Sequence, residues 1–310
     1  MNPLHDLFTA DRGSGPAVVF VHGQPGLGTD FDAVAALLVE DHRVIAPDRP
    51  GYGASGNQAI SMKDNAEVLA ALIEDKAVAP ATVVGHSYGG GVAVLLTAAR
   101  PDLVAGLVLV NSVGRADSVN VFDHLLAAPV VGEALSAAGL LALGRVLPRL
   151  RKLATVAPGD FSRLLGASLP DSRYLEVASE RGRQVWRSFV FEQRALLREI
   201  SEVESSLQTI EVPTAVIVGA WDVVVSPSVA ASIAASVPGA ELVTVGQVGH
   251  FVPRDAPEAV TSAVRRTEAR AAALQAGHHT TGDPADAAAA ESIGEASDTA
   301  SGDPDQGAGA

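Results

Sequence analysis

The sequence predicts an α/β fold in which a mostly parallel β-sheet is flanked by helices and interrupted by one helical cap. Short valine-rich apolar runs alternate with helical patterns over residues 18–100, which is typical of parallel strands joined by crossover helices. The alternation stops near Arg115 and resumes at Pro213, and only helical patterns lie between. A chain of 310 residues with 47% hydrophobic residues is long and apolar enough to bury such a sheet on both faces.

Six strands and five helices are predicted outside the cap. Each predicted strand is a short apolar run, and each helix has apolar residues at helical spacing. The strands are residues 18–21, 43–46, 81–84, 107–110, 215–218 and 242–245. The helices are residues 31–39, 63–76, 88–99, 228–236 and 257–273.

These patterns divide the chain into four segments. We expect the first part of the core over residues 1–114, a helical cap over 115–210, the second part of the core over 211–274, and a disordered acidic tail over 275–310. Beyond Arg270 the chain contains no Lys or Arg and is dominated by small and polar residues, and Pro284 and Pro304 would break a helix. Such a composition cannot bury a core.

Composition excludes several classes of function. The formal net charge of −14 argues against nucleic acid and anionic membranes as partners. The absence of cysteine excludes disulfides, thiolate nucleophiles and zinc–thiolate sites, and no motif implies a cofactor or a metal. Residues 1–15 lack an apolar signal core, and the longest apolar run, residues 125–144, is interrupted by Pro129 and Glu133. We therefore expect a cytoplasmic protein without stable membrane insertion.

The most informative motif is Gly85-His86-Ser87-Tyr88-Gly89, which follows an apolar strand and precedes a helix. A serine with a glycine two positions away on each side indicates a nucleophile elbow, because a sharp strand-to-helix turn needs flanking residues without Cβ atoms. The alternative interpretation is an ordinary glycine-rich turn. The strand before the motif and the helix after it favour the elbow.

A serine hydroxyl needs a base to take its proton and an acid to orient that base. Asp222 and His250 each follow a late predicted strand, where parallel sheets build their sites. Alone, Asp222 could be a turn carboxylate and His250 a capping or core histidine. Together with Ser87, they are the predicted catalytic residues.

Acyl transfer also needs two backbone N–H groups that stabilise an oxyanion. The residue after the nucleophile, Tyr88, supplies the first. Gln24, in the loop His22-Gly23-Gln24-Pro25-Gly26 after the first predicted strand, is the predicted second donor. A tight turn without a catalytic role is the alternative for this loop.

Together these motifs resemble those of the α/β-hydrolase superfamily, over roughly residues 17–270. The order Ser87, Asp222, His250 is the order of that superfamily, and residues 48–55, Asp-Arg-Pro-Gly-Tyr-Gly-Ala-Ser, match another of its loops. The resemblance implies a helical cap inserted after the sixth strand of the family, and a mainly structural role for residues 48–55 near the pocket. The family's usual pair of leading antiparallel strands is reduced here to a short, poorly patterned segment before Gly13.

The resemblance narrows the reaction to a few alternatives. Haloalkane dehalogenases and epoxide hydrolases carry aspartate at the elbow, so Ser87 favours a serine esterase that cleaves a small-molecule carboxylic ester. A carbon–carbon bond hydrolase of a ring-cleavage diketone and a cofactor-free perhydrolase share the same triad and stay open. A non-catalytic binding module is a further alternative. The sequence does not determine the oligomeric state.

Apolar cap residues are expected to lie over Ser87 and to favour a small or medium hydrophobic acyl group. They are Leu125, Leu126, Val130, Val131, Leu140, Leu141 and Leu143. The alternative is that these side chains pack only against one another.

Overall fold

The sheet of this protein has seven strands in the computed structural model, which describes residues 4–56, 58–156 and 185–280. The strands are β1 (Thr9–Gly13), β2 (Ala17–Val21), β3 (Arg43–Pro47), β4 (Ala81–His86), β5 (Val104–Val110), β6 (Thr214–Gly219) and β7 (Glu241–Val245). Their spatial order is β1-β3-β2-β4-β5-β6-β7. All neighbouring pairs are parallel except β1 with β3.

Nine helices are described. They are α1 (Asp32–Leu38), α2 (Met62–Asp75), α3 (Tyr88–Ala99), α4 (Val121–Ala127), α5 (Val131–Val156), α6 (Val185–Ser206), α7 (Pro227–Ser236), α8 (Val252–Asp255) and α9 (Pro257–Thr280). The count refers to the described residues alone, and short 3₁₀ turns complete several connections.

Both faces of the sheet are buried, and alternate residues of each strand belong to different core clusters. On β2, Val19 and Val21 pack with residues of α2, α3 and α7. Val18 and Phe20 pack on the other face with residues of α1 and α9. Since side chains alternate across a strand, a strand buried on both faces is a continuous apolar run. This explains why the parallel strands could be recognised from sequence.

The six predicted strands and five predicted helices are all present, and their ends differ from the predicted ones by at most three residues, except at the end of α9. The α/β prediction is confirmed. The structure adds β1, whose five residues are all partly or fully exposed. An edge strand without an apolar face has no sequence periodicity, so only its pairing with β3 identifies it.

The helical insertion lies between β5 and β6, where α4, α5 and α6 are described. Among the described residues β1 is the single strand ahead of β2, so the insertion follows the fifth described strand rather than a sixth. Residues 157–184 lie outside the described residues, and the four predicted segment boundaries stay a prediction. Within the described residues, no single helix is long and apolar enough to cross a membrane, although α4 and residues 131–139 together reach that length with a bend of 101°.

At the C-terminal end, α9 extends beyond its predicted end at residue 273 and reaches Thr280. The extension includes residues assigned to the predicted tail. The remainder of that tail, 281–310, lies outside the described residues. Ala and Gln, which are good helix formers, occupy the first part of the extension, so the loss of basic charge past Arg270 does not end the helix.

Candidate active site

The site lies where the chain reverses its direction of progress across the sheet. Strand β3 lies on one side of β2, and β4 lies on the other side. At the sheet's carboxyl edge, the chain therefore leaves β2 toward one side of the sheet and leaves β4 toward the opposite side. Open α/β sheets form their ligand sites at such a point. Val21 and Gly85 are partners in the ladder, which brings the loop after β2 next to the elbow after β4.

Ser87 occupies the elbow between β4 and α3 with φ 53° and ψ −120°. A non-glycine residue with positive φ is strained, and such strain costs about 1–3 kcal/mol. The flanking glycines allow the turn to close. A Cβ on Gly85 would lie 2.5 Å from the carbonyl oxygen of Gly89, and a Cβ on Gly89 would lie 2.2 Å from that of Val21.

Asp222 and His250 are brought together by adjacent strands, in the loops after β6 and β7. The Nδ1 of His250 lies 2.8 Å from Oδ2 of Asp222. The backbone N–H groups of Val224 and Val225 donate to Asp222 Oδ1 at 2.8 and 3.0 Å. Burial alone would raise the pKa of Asp222, but the hydrogen bonds, above all that from His250, hold this pKa below its usual value.

Asn111 directs a further donor at the same carboxylate. It follows β5, and its Nδ2 donates to Asp222 Oδ2 at 2.6 Å. Its backbone lies in the left-handed region with φ 46°, which asparagine adopts more readily than most residues. With Asn111 and His250 on one carboxylate oxygen, Asp222 is fixed as an ionised acceptor.

His86 supports the histidine loop from the elbow. Its Nε2 lies 2.8 Å from the carbonyl oxygen of His250, and since a carbonyl only accepts, that nitrogen carries the proton. Burial, with a smaller effect from the neighbouring His250, lowers the pKa of His86 to about 3. The ring is therefore neutral at physiological pH.

Ser87 and His250 face the same cavity of about 510 Å³. Their residues are 7% and 9% exposed, so each is reached mainly through this cavity. The rest of the lining is largely apolar, with some polar and charged side chains: Gly23, Gln24, Pro25, Leu27, Thr29, Asp30, Asp32, Ala33, His86, Phe122, Leu126, Leu135, Ser136, Gly139, Phe189, Val224, Phe251, Pro253 and Arg254. Such a cavity suits a small, mostly apolar ligand.

The predicted oxyanion donors, Tyr88 and Gln24, belong to two different segments of the chain. Tyr88 is the first residue of α3, and the first amides of a helix have no acceptor within it. Gln24 lines the cavity in the loop after β2. A Cβ on Gly23, the residue before it, would lie 3.0 Å from Cβ of Ser87. A side chain at position 23 would therefore crowd Ser87.

A buried polar network binds the backbone of the loop of residues 22–26. The guanidinium of Arg49 donates to the carbonyl oxygens of His22 and Gly23 at 2.9 and 2.8 Å. It also binds both carboxylate oxygens of Glu192, on α6, which accepts a further hydrogen bond of 2.7 Å from the Tyr52 hydroxyl. The carboxylate of Glu192 raises the pKa of Arg49 although burial opposes this, so the guanidinium is charged.

Comparison with known proteins identifies the family. A family model described as "Alpha/beta hydrolase family" matches residues 18–263. The chain belongs to this family. That assignment confirms the resemblance carried by the sequence motifs and agrees with the sheet order and the strand-end position of the site.

This chain is similar to proteins of different activities and to an uncharacterized protein. It is 31% identical to an uncharacterized protein of Mycobacterium tuberculosis over 82% of this chain and 75% of that protein. It is 28% identical to the sn-1-specific diacylglycerol lipase ABHD11 of Mus musculus, over 80% of each chain. The structure of haloalkane dehalogenase DbeA from Bradyrhizobium elkani matches with a TM-score of 0.64 and 25% identity, covering 87% of this chain and 95% of that one.

Four residues that form or support the site were not identified from the sequence. Asn111 and His86 each lie at the end of a predicted strand, and this position could have marked them as site residues. Their hydrogen-bond partners could not be predicted from the sequence. Arg49 lies in the loop assigned a mainly structural role. Glu192 is in a helix that contains both polar and apolar residues. Nothing in the neighbouring sequence distinguishes it from a solvent-exposed glutamate.

The apolar cap residues expected over Ser87 do not all face the cavity. Leu126 lines the cavity, as expected. Val130 is 78% exposed, and Leu125 and Val131 are exposed as well. The side chains of Leu140, Leu141 and Leu143 lie outside what the structure describes. Phe122 on α4, Leu135 on α5 and Phe189 on α6 line the cavity instead.

Among the described residues, no group of three or more His, Cys, Asp or Glu side chains is arranged to hold a metal ion. The polar groups of the cavity are instead suited to hydrogen bonding. Ser136 is the clearest: it is buried, and its hydroxyl has no hydrogen-bond partner.

Proposed function

We propose that this protein is a serine hydrolase that cleaves a small or medium hydrophobic carboxylic ester with Ser87, His250 and Asp222. The main support is that His250, hydrogen-bonded to Asp222, lines the same cavity as Ser87, which sits at a strained elbow. An orienting carboxylate, an imidazole and a hydroxyl are the three parts that acyl transfer through a serine requires.

In the proposed mechanism, Ser87 Oγ attacks the ester carbonyl and His250 takes the hydroxyl proton on Nε2. Asp222 accepts the Nδ1–H of His250, which leaves Nε2 unprotonated to act as the base. The N–H groups of Tyr88 and Gln24 stabilise the oxyanion. His250 then protonates the leaving alcohol, and a water molecule activated by the same histidine releases the acid and regenerates Ser87.

The elbow residue distinguishes this proposal from dehalogenase chemistry. The resemblance to haloalkane dehalogenases at the level of fold does not extend to their elbow aspartate, since this chain has Ser87. A hydroxyl nucleophile forms an acyl-enzyme from a carbonyl compound, and it is a poor group for displacing a halide from carbon. The relationship to a diacylglycerol lipase is consistent with an ester substrate. Carbon–carbon bond hydrolysis and perhydrolysis use the same triad and are tested beside it.

The cavity volume bounds the substrate. About 510 Å³ accommodates a ligand of modest size, and the aromatic and aliphatic lining from the cap favours an apolar acyl chain. We propose that the ligand of this site is a small-molecule substrate and that the protein acts in the cytoplasm.

Active-site labelling tests the residue assignment. A fluorophosphonate should label the wild-type protein and Ser136→Ala, which removes another serine of the cavity, and it should not label Ser87→Ala. Labelling of Ser87→Ala would reject the assigned nucleophile. A folded wild-type protein that neither reacts nor hydrolyses any ester would reject the enzyme function and favour a binding module.

A series of p-nitrophenyl esters tests the substrate class. We expect kcat/KM to rise with acyl length and then to fall by about ten-fold or more once the chain exceeds the cavity. Equal rates for all acyl lengths would contradict the pocket proposal. A ring-cleavage diketone and peracid formation, measured in parallel, decide between the alternative reactions of the triad.

A further inference from the structure

We propose that Arg49 is a positioning residue that directs the Gln24 amide at the substrate's carbonyl oxygen, and that Glu192 on α6 holds Arg49 in that position. The inference rests on the proposed function, because the amide has this role only in acyl transfer. It gives a buried ion pair between the core and the predicted cap a part in catalysis.

The first step of the argument is the set of contacts around His22 and Gly23. Arg49 Nε donates to the carbonyl oxygen of His22 and Nη2 to that of Gly23. The backbone N–H of Arg49 donates to His22 Nε2 at 2.8 Å, so Nδ1 of that ring carries the proton and donates to Gly23 O at 2.9 Å. A guanidinium is planar and its donors are fixed, so it fixes the direction of two consecutive carbonyls.

The second step is the planarity of the peptide group. In a trans peptide the C=O of one residue and the N–H of the next point in opposite directions. The Gly23 carbonyl faces Arg49 and the His22 ring, so the Gln24 N–H is turned away from them. Pro25 has no N–H to offer. A Cβ on Gly23 would lie 3.0 Å from Cβ of Ser87, and Gln24 lines the cavity, so the amide of Gln24 is directed to the nucleophile's side.

The third step is the placement of Glu192. Arg49 and Glu192 are 1% and 0% exposed, so each charge depends on the other. A pair of apolar side chains could fill the same space without the cost of removing two charges from water. The ion pair adds direction, because a bidentate carboxylate restricts rotation of the guanidinium. Helix α6 also packs on α2 and α3, which anchors Glu192.

The sharpest test removes both charges together. The double variant Arg49→Met/Glu192→Leu leaves no unpaired buried charge, yet it lacks the contacts to His22 and Gly23. We expect a folded protein whose kcat for its best ester is about 10- to 100-fold lower, with KM within about two-fold. A trifluoromethyl ketone, to whose carbonyl Ser87 adds to form an oxyanion, should lose affinity by a similar factor.

A core variant separates positioning from stability. Leu72→Ala on α2 lowers stability at a buried core residue that does not line the cavity. It should keep wild-type kcat and ketone affinity in the temperature range where it is folded. An equal loss of kcat in Leu72→Ala would overturn the inference, since destabilisation alone would then explain the effect. Wild-type kcat and ketone affinity in the folded double variant would also overturn it.

A second variant applies if the double variant does not fold. Arg49→Lys keeps a positive charge beside Glu192 but cannot bind both carbonyls as a planar fork. The same combined loss of kcat and ketone affinity supports the inference, and wild-type values overturn it. Absence of turnover and labelling in the wild-type protein rejects the proposed function and the inference together, whereas wild-type values in the variants reject the inference alone.

Discussion

At the scale of single residues, backbone strain and buried polarity coincide at the strand ends. Ser87 and Asn111 both have positive φ, and both follow central strands. The packed glycines around Ser87 and the hydrogen bond from Asn111 to Asp222 hold them, so the cost of strain is offset by contacts that themselves belong to the site.

The role of Asn111 gives a prediction at this scale. Asn111→Gly keeps the left-handed backbone but removes the donor to Asp222, and we expect kcat to fall about ten-fold or more because a hydrogen bond to a charged group contributes about 1.5–3 kcal/mol. Steady-state kinetics with the best ester measures the change.

The matched control is Ser112→Ala, which removes the next polar side chain; that side chain donates to Val113 and not to Asp222. It should keep kcat near the wild-type value. An unchanged rate in Asn111→Gly would show that His250 and the backbone amides suffice to hold Asp222.

At the scale of elements, the elbow depends on the close approach of α3 to β2. Gly89→Ala would place a Cβ 2.2 Å from a backbone carbonyl, which cannot move as a flexible side chain does. We expect the free energy of unfolding to fall by about 2–3 kcal/mol. Urea unfolding followed by circular dichroism measures the change.

Gly139→Ala is the control for helix propensity. Gly139 lies in α5, and a Cβ there would meet nothing within 4 Å. Alanine is favoured over glycine in a helix by up to about 1 kcal/mol, so this variant should be neutral or slightly more stable. Equal destabilisation by both substitutions would contradict the close-approach argument for the elbow.

At the scale of the whole molecule, two buried histidines give opposite pH dependence of folding. The folded protein keeps His86 neutral with a pKa of about 3, so on acidification the unfolded chain binds this proton first and stability falls from pH ~6.5 toward 3. His42 binds Asp41 and Glu268; although burial lowers its pKa, these carboxylates raise it above the usual value. The stability that protonated His42 adds to the folded protein is present below pH ~6.5 and is lost as the pH rises through the raised pKa of His42.

Two variants separate these contributions. Relative to the wild type, His86→Phe should gain stability as pH falls below ~6.5, since phenylalanine has no proton to bind in the unfolded state. His42→Gln should show its largest deficit in acid and a smaller one at alkaline pH. Urea unfolding from pH 4.5 to 9 measures both, and parallel pH profiles for the wild type and either variant would contradict the assignment for that histidine.

The sequence by itself determined the parallel sheet, the helices around it and the residues from which a triad is proposed. Each of these features has a local cause: a strand buried on both faces is a continuous apolar run, and an elbow needs glycine on either side of Ser87. Asp222 and His250 could be predicted for the same reason, because each follows the end of a recognisable strand.

Only the tertiary structure decided the contacts between distant segments. Strand β1 was recognisable only through its pairing with β3, and Glu192 only through Arg49, 143 residues earlier in the chain. Which side chains of the predicted cap line the cavity depends on how α4, α5 and α6 pack on one another. The physical reason is that periodicity records which face of an element is buried but not what it is buried against, and the partner of a buried polar group is set by packing.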